Sequence, residues 1–565
     1  GTHYMAFLRN KKCKGNDYYV MVENRRVDGK VKQYTLETIG TWDKVMERFS
    51  SFWNQEHSQH VATTFEAFIH GAPYALYQIA EQLKIEAVLD KIFPGQQRNG
   101  VKRSTSLILA AIHRACAPGS KNAFSDWFKK TSLPYHLKID PDSMTSQHFW
   151  DQMDGLTQEQ LELAEDTITE IITSLFPDNL DFLSLDYTNY YTFIDSNNAR
   201  NDICRRGHNK QKRNDLRQFS LAVITTKASG IPLVTHLYKG NRNDQTEFPI
   251  FVEMIQNRFK FYDPDKMTLI FDGGSNTKDN LNCLEPHFIC SFSLSNAKSL
   301  LDIDIDSYYD ISLKEKSVRG YMTDAVIWGI TRRCILTESI VLRKGQTLEL
   351  KQSIEKFKAE MEHLEEQIKN PKARIKKDAD SLRKRAESFI KGKKHLKEFI
   401  TVTAGDFQIS YTIDEEARAQ IEKKWFGKKL TITDHLDWRE EEILEAYYSQ
   451  ECVEKVFRDT KDTNHFALKP VYHWTDQKIR VHVFVCLLSL MLGQILMKEM
   501  EKNGINISKD KMLDELNGIY DGWVIQSATG KKMSFTRVLG KMTKEQEKLW
   551  EVVSKLNLYA PHKET

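Results

Sequence analysis

No Cys-x-x-Cys pair occurs in the 565 residues, and the eight cysteines, at 13, 116, 204, 283, 290, 334, 452 and 486, are widely scattered. A zinc ribbon or a disulfide framework needs closer, more regular spacing, so reduced thiols in a cytoplasmic protein are expected. An excess of one charge is also missing: 81 Lys and Arg stand against 78 Asp and Glu, a formal net charge of +3. Any basic surface is therefore local, and global charge neither demands nor excludes a nucleic-acid partner. Long apolar runs are absent save VHVFVCLLSLMLGQILM at 481–497, whose 17 residues include His482, Ser489 and Gln494. That is the lower limit for spanning a bilayer, so a buried core helix is expected, with no membrane partner. No secretory signal precedes the first patterned segment, and Gly-Thr-His-Tyr ahead of Met5 reads as an added leader outside the fold.

What is present is a chain with 40% hydrophobic residues, enough for a sizeable core divided among several domains. Residues 1–60 read as a small basic β module: YYVMVENRRVDGKVKQYTLETIG at 18–40 alternates on both sides of Asp28-Gly29, a hairpin signal. Residues 61–175 read as helical. Within them TSLILAAIHRACAPGS at 105–120 and SDWFKK at 125–130 fit a DNA-reading helical hairpin and a plain one alike.

From 176 to 300 the pattern becomes strand, strand, strand, helix, strand, helix, strand. Its segments are DFLSLDYTNYYTFID, RQFSLAVITT, GIPLVTHLYKG, TEFPIFVEMIQNRF, MTLIFD, NTKDNLNCL and HFICSFSL. Residues 301–435 interrupt this block. Their stretch 351–400 holds 15 Lys and Arg against 9 Asp and Glu, a solvated helical hairpin or a cover for a phosphate backbone, broken at Pro371 and Gly392. Residues 436–500 return to the block, and 501–565 read as helical with a break at Gly522-Trp523-Val524.

Asp186 lies inside an apolar strand, where an unpaired carboxylate is costly, so a partner or a metal is expected. Asp272 ends another strand before Gly273-Gly274, a place that also suits a plain turn former. Further on, AYYSQECVEKVFRDTKD at 446–462 puts Tyr447, Gln450, Glu454 and Lys461 at offsets of three, four and seven, on one stripe of a helix. Alone, that stripe reads as a solvated charged face. Metal-assisted phosphoryl transfer needs clustered oxygen ligands, and two strand-borne aspartates plus a helix-borne glutamate could supply them.

Strand Asp, hairpin, helix, strand Asp, long insertion and helix Glu resembles the ribonuclease H-like core of DDE transposases from bacterial insertion sequences. The 447–461 helix resembles the Tyr-Arg-Glu-Lys signature of their cut-and-paste group, with Gln450 where Arg is usual. GHNKQKRNDLRQFSLAVITTKASGIPLVTHLYKGNRNDQTEF at 207–248, LIFDGGSNTKDNL at 269–281 and FRDTKDTNHFALKPVYHWTDQKIRVHVFV at 457–485 also resemble this group. The resemblance implies a multidomain α+β protein: an α/β core of mixed sheet flanked by helices, a large insertion domain, and amino-terminal β-hairpin and helical DNA-binding modules.

It further implies Asp186, Asp272 and Glu454 as catalytic residues holding two Mg2+ or Mn2+ ions. Tyr447, Gln450, Arg458 and Lys461 would meet DNA phosphates, and Trp425 or Phe426 would stack on a flipped base. Transposon-end and target DNA are the implied partners, with a homodimer in the DNA complex and a nucleoid-associated cytoplasmic location. Arg205, Arg206, Lys210, Lys212 and Arg213 in the loop after the first strand suit a DNA backbone or an ordinary solvated loop. His473 and His482 read as structural rather than metal-binding. A nuclease without strand transfer and a domesticated DNA-binding regulator are the rival readings.

Overall fold

Alternating residues build an antiparallel amino-terminal sheet from β1 (Ala6–Cys13), β2 (Asn16–Val27) and β3 (Lys30–Gly40), in that order. The computed structural model describes residues 6–559 except 14–15, 28–29, 48–60, 96, 177–179, 196, 208–212, 228–229, 259–262, 394, 462–463, 470, 472 and 529–533. Val27 pairs with Lys30, so the strands flanking Asp28-Gly29 form the expected hairpin, although those two residues lie outside the described set. Residues 1–5 lie outside it too. The chain divides into two units, Gly1–Ile168 with Asp459–Thr565, and Thr169–Arg458.

In the first unit, β4 (Val61–Ile69) opens a region read from sequence as wholly helical. It pairs with Tyr520–Ala528, which pairs in turn with Ser534–Leu539. The carboxy-terminal region is thus part strand, and Gly522 sits inside a strand rather than at a break. The reason is close approach: a Cβ at Gly522 would come within 2.7 Å of Phe65 Cε2. Helix Arg103–Cys116 is buried from Ser104 onward. The apolar helix Asp476–Lys502 packs on it and on Gly71–Gln82, and 94% of its most apolar window is buried. Being surrounded by helices, it is apolar all round, as a core helix should be. It belongs to this unit, whereas the sequence reading joined 436–500 to the strand-and-helix block of 176–300. His482 donates from Nε2 to Leu468 O at 3.0 Å, a structural role.

The second unit is organised on a ten-stranded sheet. Its strands are β5 (Phe182–Thr192), β6 (Arg205–Arg206), β7 (Arg217–Thr226), β8 (Pro232–Lys239), β9 (Thr268–Phe271), β10 (His287–Phe292), β11 (Tyr309–Ser312), β12 (Ser317–Ile327), β13 (Ile330–Glu338) and β16 (Lys428–Thr433); β14 (Ile400–Gly405) and β15 (Gln408–Ile413) form a separate hairpin. Five strands run in the order β8-β7-β5-β9-β10, with β5, β9 and β10 parallel and β7 antiparallel to both β5 and β8. Helices Asp244–Arg258 and Lys278–Asn282 supply the crossovers.

β16 pairs antiparallel with both β10 and β13, so β11–β13 and β16 extend the main sheet. Residues 340–427 stand outside it as one folded piece, smaller than the 301–435 insertion read from sequence. They hold helices Ile340–Lys369, Ala379–Ile390 and Glu415–Trp425 and the β14–β15 hairpin. A core of their own includes Phe357, Met361, Leu382, Phe399 and Phe426. Pro371 follows the end of the first of these helices, and Gly392, at φ 79°, follows the second.

Candidate active site

Register decides where the two aspartates emerge. β5 and β9 run parallel with Leu185 opposite Phe271, and Asp186 and Asp272 are the next residues on these neighbouring strands. Asp272 keeps an extended backbone, φ −82° and ψ 161°. That carries the register one residue past the last ladder pair and turns both side chains to one face, on strands about 4.8 Å apart.

Asp272 precedes a short 3₁₀ turn, Gly273–Ser275, yet its side chain makes no capping hydrogen bond there. Instead Tyr447 Oη donates to its Oδ1 at 3.3 Å. Among the described residues no Lys or Arg forms an ion pair with it. The turn-former reading is thereby weakened, because the carboxylate is not spent on the turn. Asp186 is half-buried, and its Oδ1 accepts the Tyr187 N–H at 2.7 Å.

Tyr447 reaches Asp272 because helix Glu440–Tyr448 lays Ile443, Leu444 and Ala446 against Ile270 and Ile289 of the sheet. Burial, and after it the charge of Asp272, push the Tyr447 hydroxyl above its ordinary pKa, so it remains a proton donor.

The single helical stripe needs correction. The first helix stops at Tyr448 and a second spans Glu451–Lys461. Between them Ser449 N bonds Ala446 O and Gln450 N bonds Tyr447 O, the tighter three-residue spacing. Tyr447 and Glu454 therefore belong to different helices. Gln450, at the break, is 6% exposed and donates from Nε2 to Leu185 O at 3.5 Å. The side chain is thus buried and directed at the strand before Asp186, not outward where the expected phosphate contact would need it. Glu454 and Arg458 are exposed and Lys461 is half-buried.

The adjacent aromatics divide. Phe426 is buried in the insertion core, which corrects its candidacy for base stacking. Trp425 is half-buried and lines a cavity of about 390 Å³ together with Tyr447, Tyr448, Ser291, Ser293 and Lys428. The Lys428 ammonium, which sequence reading missed, donates to Ile303 O at 2.9 Å and Leu301 O at 3.4 Å. Burial lowers its pKa. Its only sequence signal is a lysine at the head of an apolar strand.

Of the basic loop, Arg205 and Arg206 are exposed on β6, Arg205 pairs with Asp202, and Arg213 pairs with Asp215 at 2.9 Å. Lys210 and Lys212 lie outside the described residues. Arg217, also missed, is buried and donates to the carbonyls of Cys204 at 2.7 Å, Asp195 at 2.9 Å and Asn201, holding this loop to β7.

Among the described residues, two groups bring three ligand atoms within 4.8 Å of one another, and neither contains Asp186, Asp272 and Glu454. In the first, His70 Nε2 faces the Arg537 guanidinium at 3.1 Å while Nδ1 meets Ser132 Oγ at 2.7 Å, so both ring nitrogens are engaged. In the second, His287 and His435 stack with centroids 4.2 Å apart and planes 28° from parallel. Asp434 is bonded to His287 Nδ1 at 2.8 Å and Phe288 N at 2.9 Å, and His435 Nε2 meets Thr268 Oγ1 at 2.9 Å, so these groups are engaged with protein partners. Both groups are structural networks.

No protein-family model and no curated protein matches the chain. Among solved structures, a piggyBac transposase synaptic complex with hairpin DNA, determined by cryo-EM, is similar over 79% of this chain and 79% of that one, with 8% identity and a TM-score of 0.36. A likeness that low carries no weight in assigning a function.

Proposed function

We propose that this chain is a DDE-type transposase that binds transposon ends, cuts them and joins them to target DNA, with Asp186, Asp272 and Glu454 as its catalytic carboxylates. The observation that carries the reading is the shared register of Asp186 and Asp272 on adjacent parallel strands. The order β8-β7-β5-β9-β10 supports a ribonuclease H-like core around them. An all-oxygen donor set suits Mg2+ or Mn2+, and Asp272 faces no competing cation among the described residues. Two such ions, when bound, supply activation of the attacking oxygen and stabilisation of the leaving one.

The remaining roles belong to the chain's own side chains. Tyr447 orients Asp272 through its hydroxyl, and Gln450 ties the helix break to the strand that carries Asp186. Arg458 and Lys461 offer charge to phosphates. Trp425 offers a ring to a base displaced when the freed 3′-hydroxyl attacks the opposite strand to close a hairpin. Holding two ends together calls for a homodimer on DNA. The test uses the terminal repeats flanking the chain's own gene, supplied pre-cut with Mg2+ and a target plasmid. The parent is expected to join them and Glu454→Gln to fail; equal joining by both sinks the assignment. Cutting without joining points to a nuclease, and binding without either to a regulator.

A further inference from the structure

The 340–427 segment carries an aromatic ring where its backbone least favours one. Asp406-Phe407 joins β14 to β15, with Gly405 opposite Gln408. Phe407 has φ 60°, in the left-handed region that bulky residues rarely enter, and it is 66% exposed. Glycine or asparagine makes such a turn at less cost, and a polar residue suits solvent better. Packing therefore does not account for phenylalanine here, and backbone outliers of this kind persist where function uses them.

The tip is pinned to the loop at 370–378 that joins two of the insertion's helices. Phe407 N donates to Lys377 O at 2.8 Å, and Asp406 Oδ1 accepts the Ala379 N–H at 2.9 Å. Lys377 is committed, its Nζ donating to Ile368 O at 2.8 Å and Asn370 O at 2.9 Å and lying 6.0 Å from the Phe407 ring centroid. Lys372, Arg374 and Lys376 in the same loop are exposed, and among the described residues none of them forms an ion pair. The carboxylates at this corner are occupied. Asp378 caps Ser381 N at 2.9 Å, Asp406 holds Ala379 N, and Asp380 pairs with Arg383 at 3.8 Å.

We propose that this corner is a duplex-DNA contact in which Phe407 is the wedge. Lys372, Arg374 and Lys376 take backbone phosphates while the ring rests against a base step in the groove between them. An apolar ring on a tip hydrogen-bonded to the loop that carries three cations outside ion pairs matches the alternation of charged backbone and apolar base edge that a duplex presents. The inference rests on the reading that the chain works on DNA.

Binding to a labelled duplex of mixed sequence, followed by fluorescence anisotropy across a salt series, tests it on the full chain. The variants are Phe407→Gly, and Lys372→Ala, Arg374→Ala and Lys376→Ala combined. Glycine suits φ 60°, so Phe407→Gly is expected to melt no lower than the parent while its affinity drops at least about fivefold. The triple variant is expected to lose up to about 3 from the slope of log K against log salt, close to 0.9 per phosphate contact. If the parent binds and both variants match it in affinity and slope, the wedge is overturned while the DNA reading survives. A parent that binds no duplex at low salt overturns both.

Discussion

Replacing Gln450 by Arg installs the residue that the helix signature usually carries, and pattern alone predicts a firmer grip on phosphate. The geometry predicts damage. Gln450 is 6% exposed at the break between two helices, and its amide reaches Leu185 O at 3.5 Å. Losing that hydrogen bond costs about 1 kcal/mol, and forcing a longer side chain into the same space costs about 1–3 kcal/mol. A guanidinium buried without a carboxylate adds to this unless the helix moves. These first two terms, about 2–4 kcal/mol together, lower the melting transition of the unit Thr169–Arg458 by roughly 3–7 °C. Because the strained contact lies one residue before Asp186, end cleavage should fall as well. Thermal unfolding and Mg2+-dependent cleavage of Gln450→Arg beside the parent measure both. A variant that melts with the parent and binds end DNA more tightly refutes this placement of Gln450.

Tyr447→Phe removes the hydrogen bond to Asp272 and is expected to slow cleavage by up to about tenfold with little change in melting, read from single-turnover rates; since burial raises the hydroxyl's pKa, the parent should show no loss of activity from Tyr447 ionisation up to about pH 10. Phe426→Ala empties the insertion core and should cost about 3–5 kcal/mol, whereas the half-buried Trp425→Ala should cost less stability and more hairpin formation; equal stability losses contradict the division between them. Acid should weaken the first unit: burial pulls His70 and His473 down to about 3, against about 6.5 unfolded. Between those values the unfolded state binds more protons, so stability is complete above pH 6.5 and is lost as pH falls, at up to about 1.4 kcal/mol per pH unit for each histidine. A urea midpoint that stays flat from pH 7 to pH 5 would contradict that.

The strands of the central block were legible because local pattern and burial agree there. RQFSLAVITT centres on the apolar run Leu221–Ile224 and becomes Arg217–Thr226, buried at every position. Sequence put Asp186 and Asp272 on two strands of one block and left their adjacency as a condition, which the pairing of β5 with β9 supplies. What sequence could not disclose depends on distant partners. The helix break at 449–450 coincides with the Gln450 contact to Leu185, and nothing within AYYSQECVEKVFRDTKD announces it. Strand Tyr520–Ala528 was hidden because its partner β4 lies far away in the chain and Gly522 resembles a breaker. Trp425 and Phe426 are equivalent as a dipeptide, and only the end of helix Glu415–Trp425 decides which ring is buried in the core and which packs half-buried against it. The exposed Phe407 carries no periodic signal, and only its positive φ singles it out.

The proposed function puts the ions that serve phosphoryl transfer on the Asp186–Asp272 pair. Mn2+ binding to the parent, Asp186→Asn and Asp272→Asn, each with bound DNA and matched melting temperatures, tests it most directly by electron paramagnetic resonance. About two tightly held ions are expected per parent chain, with the loss of at least one in either variant. Equal number and affinity of bound Mn2+ in all three proteins would contradict it.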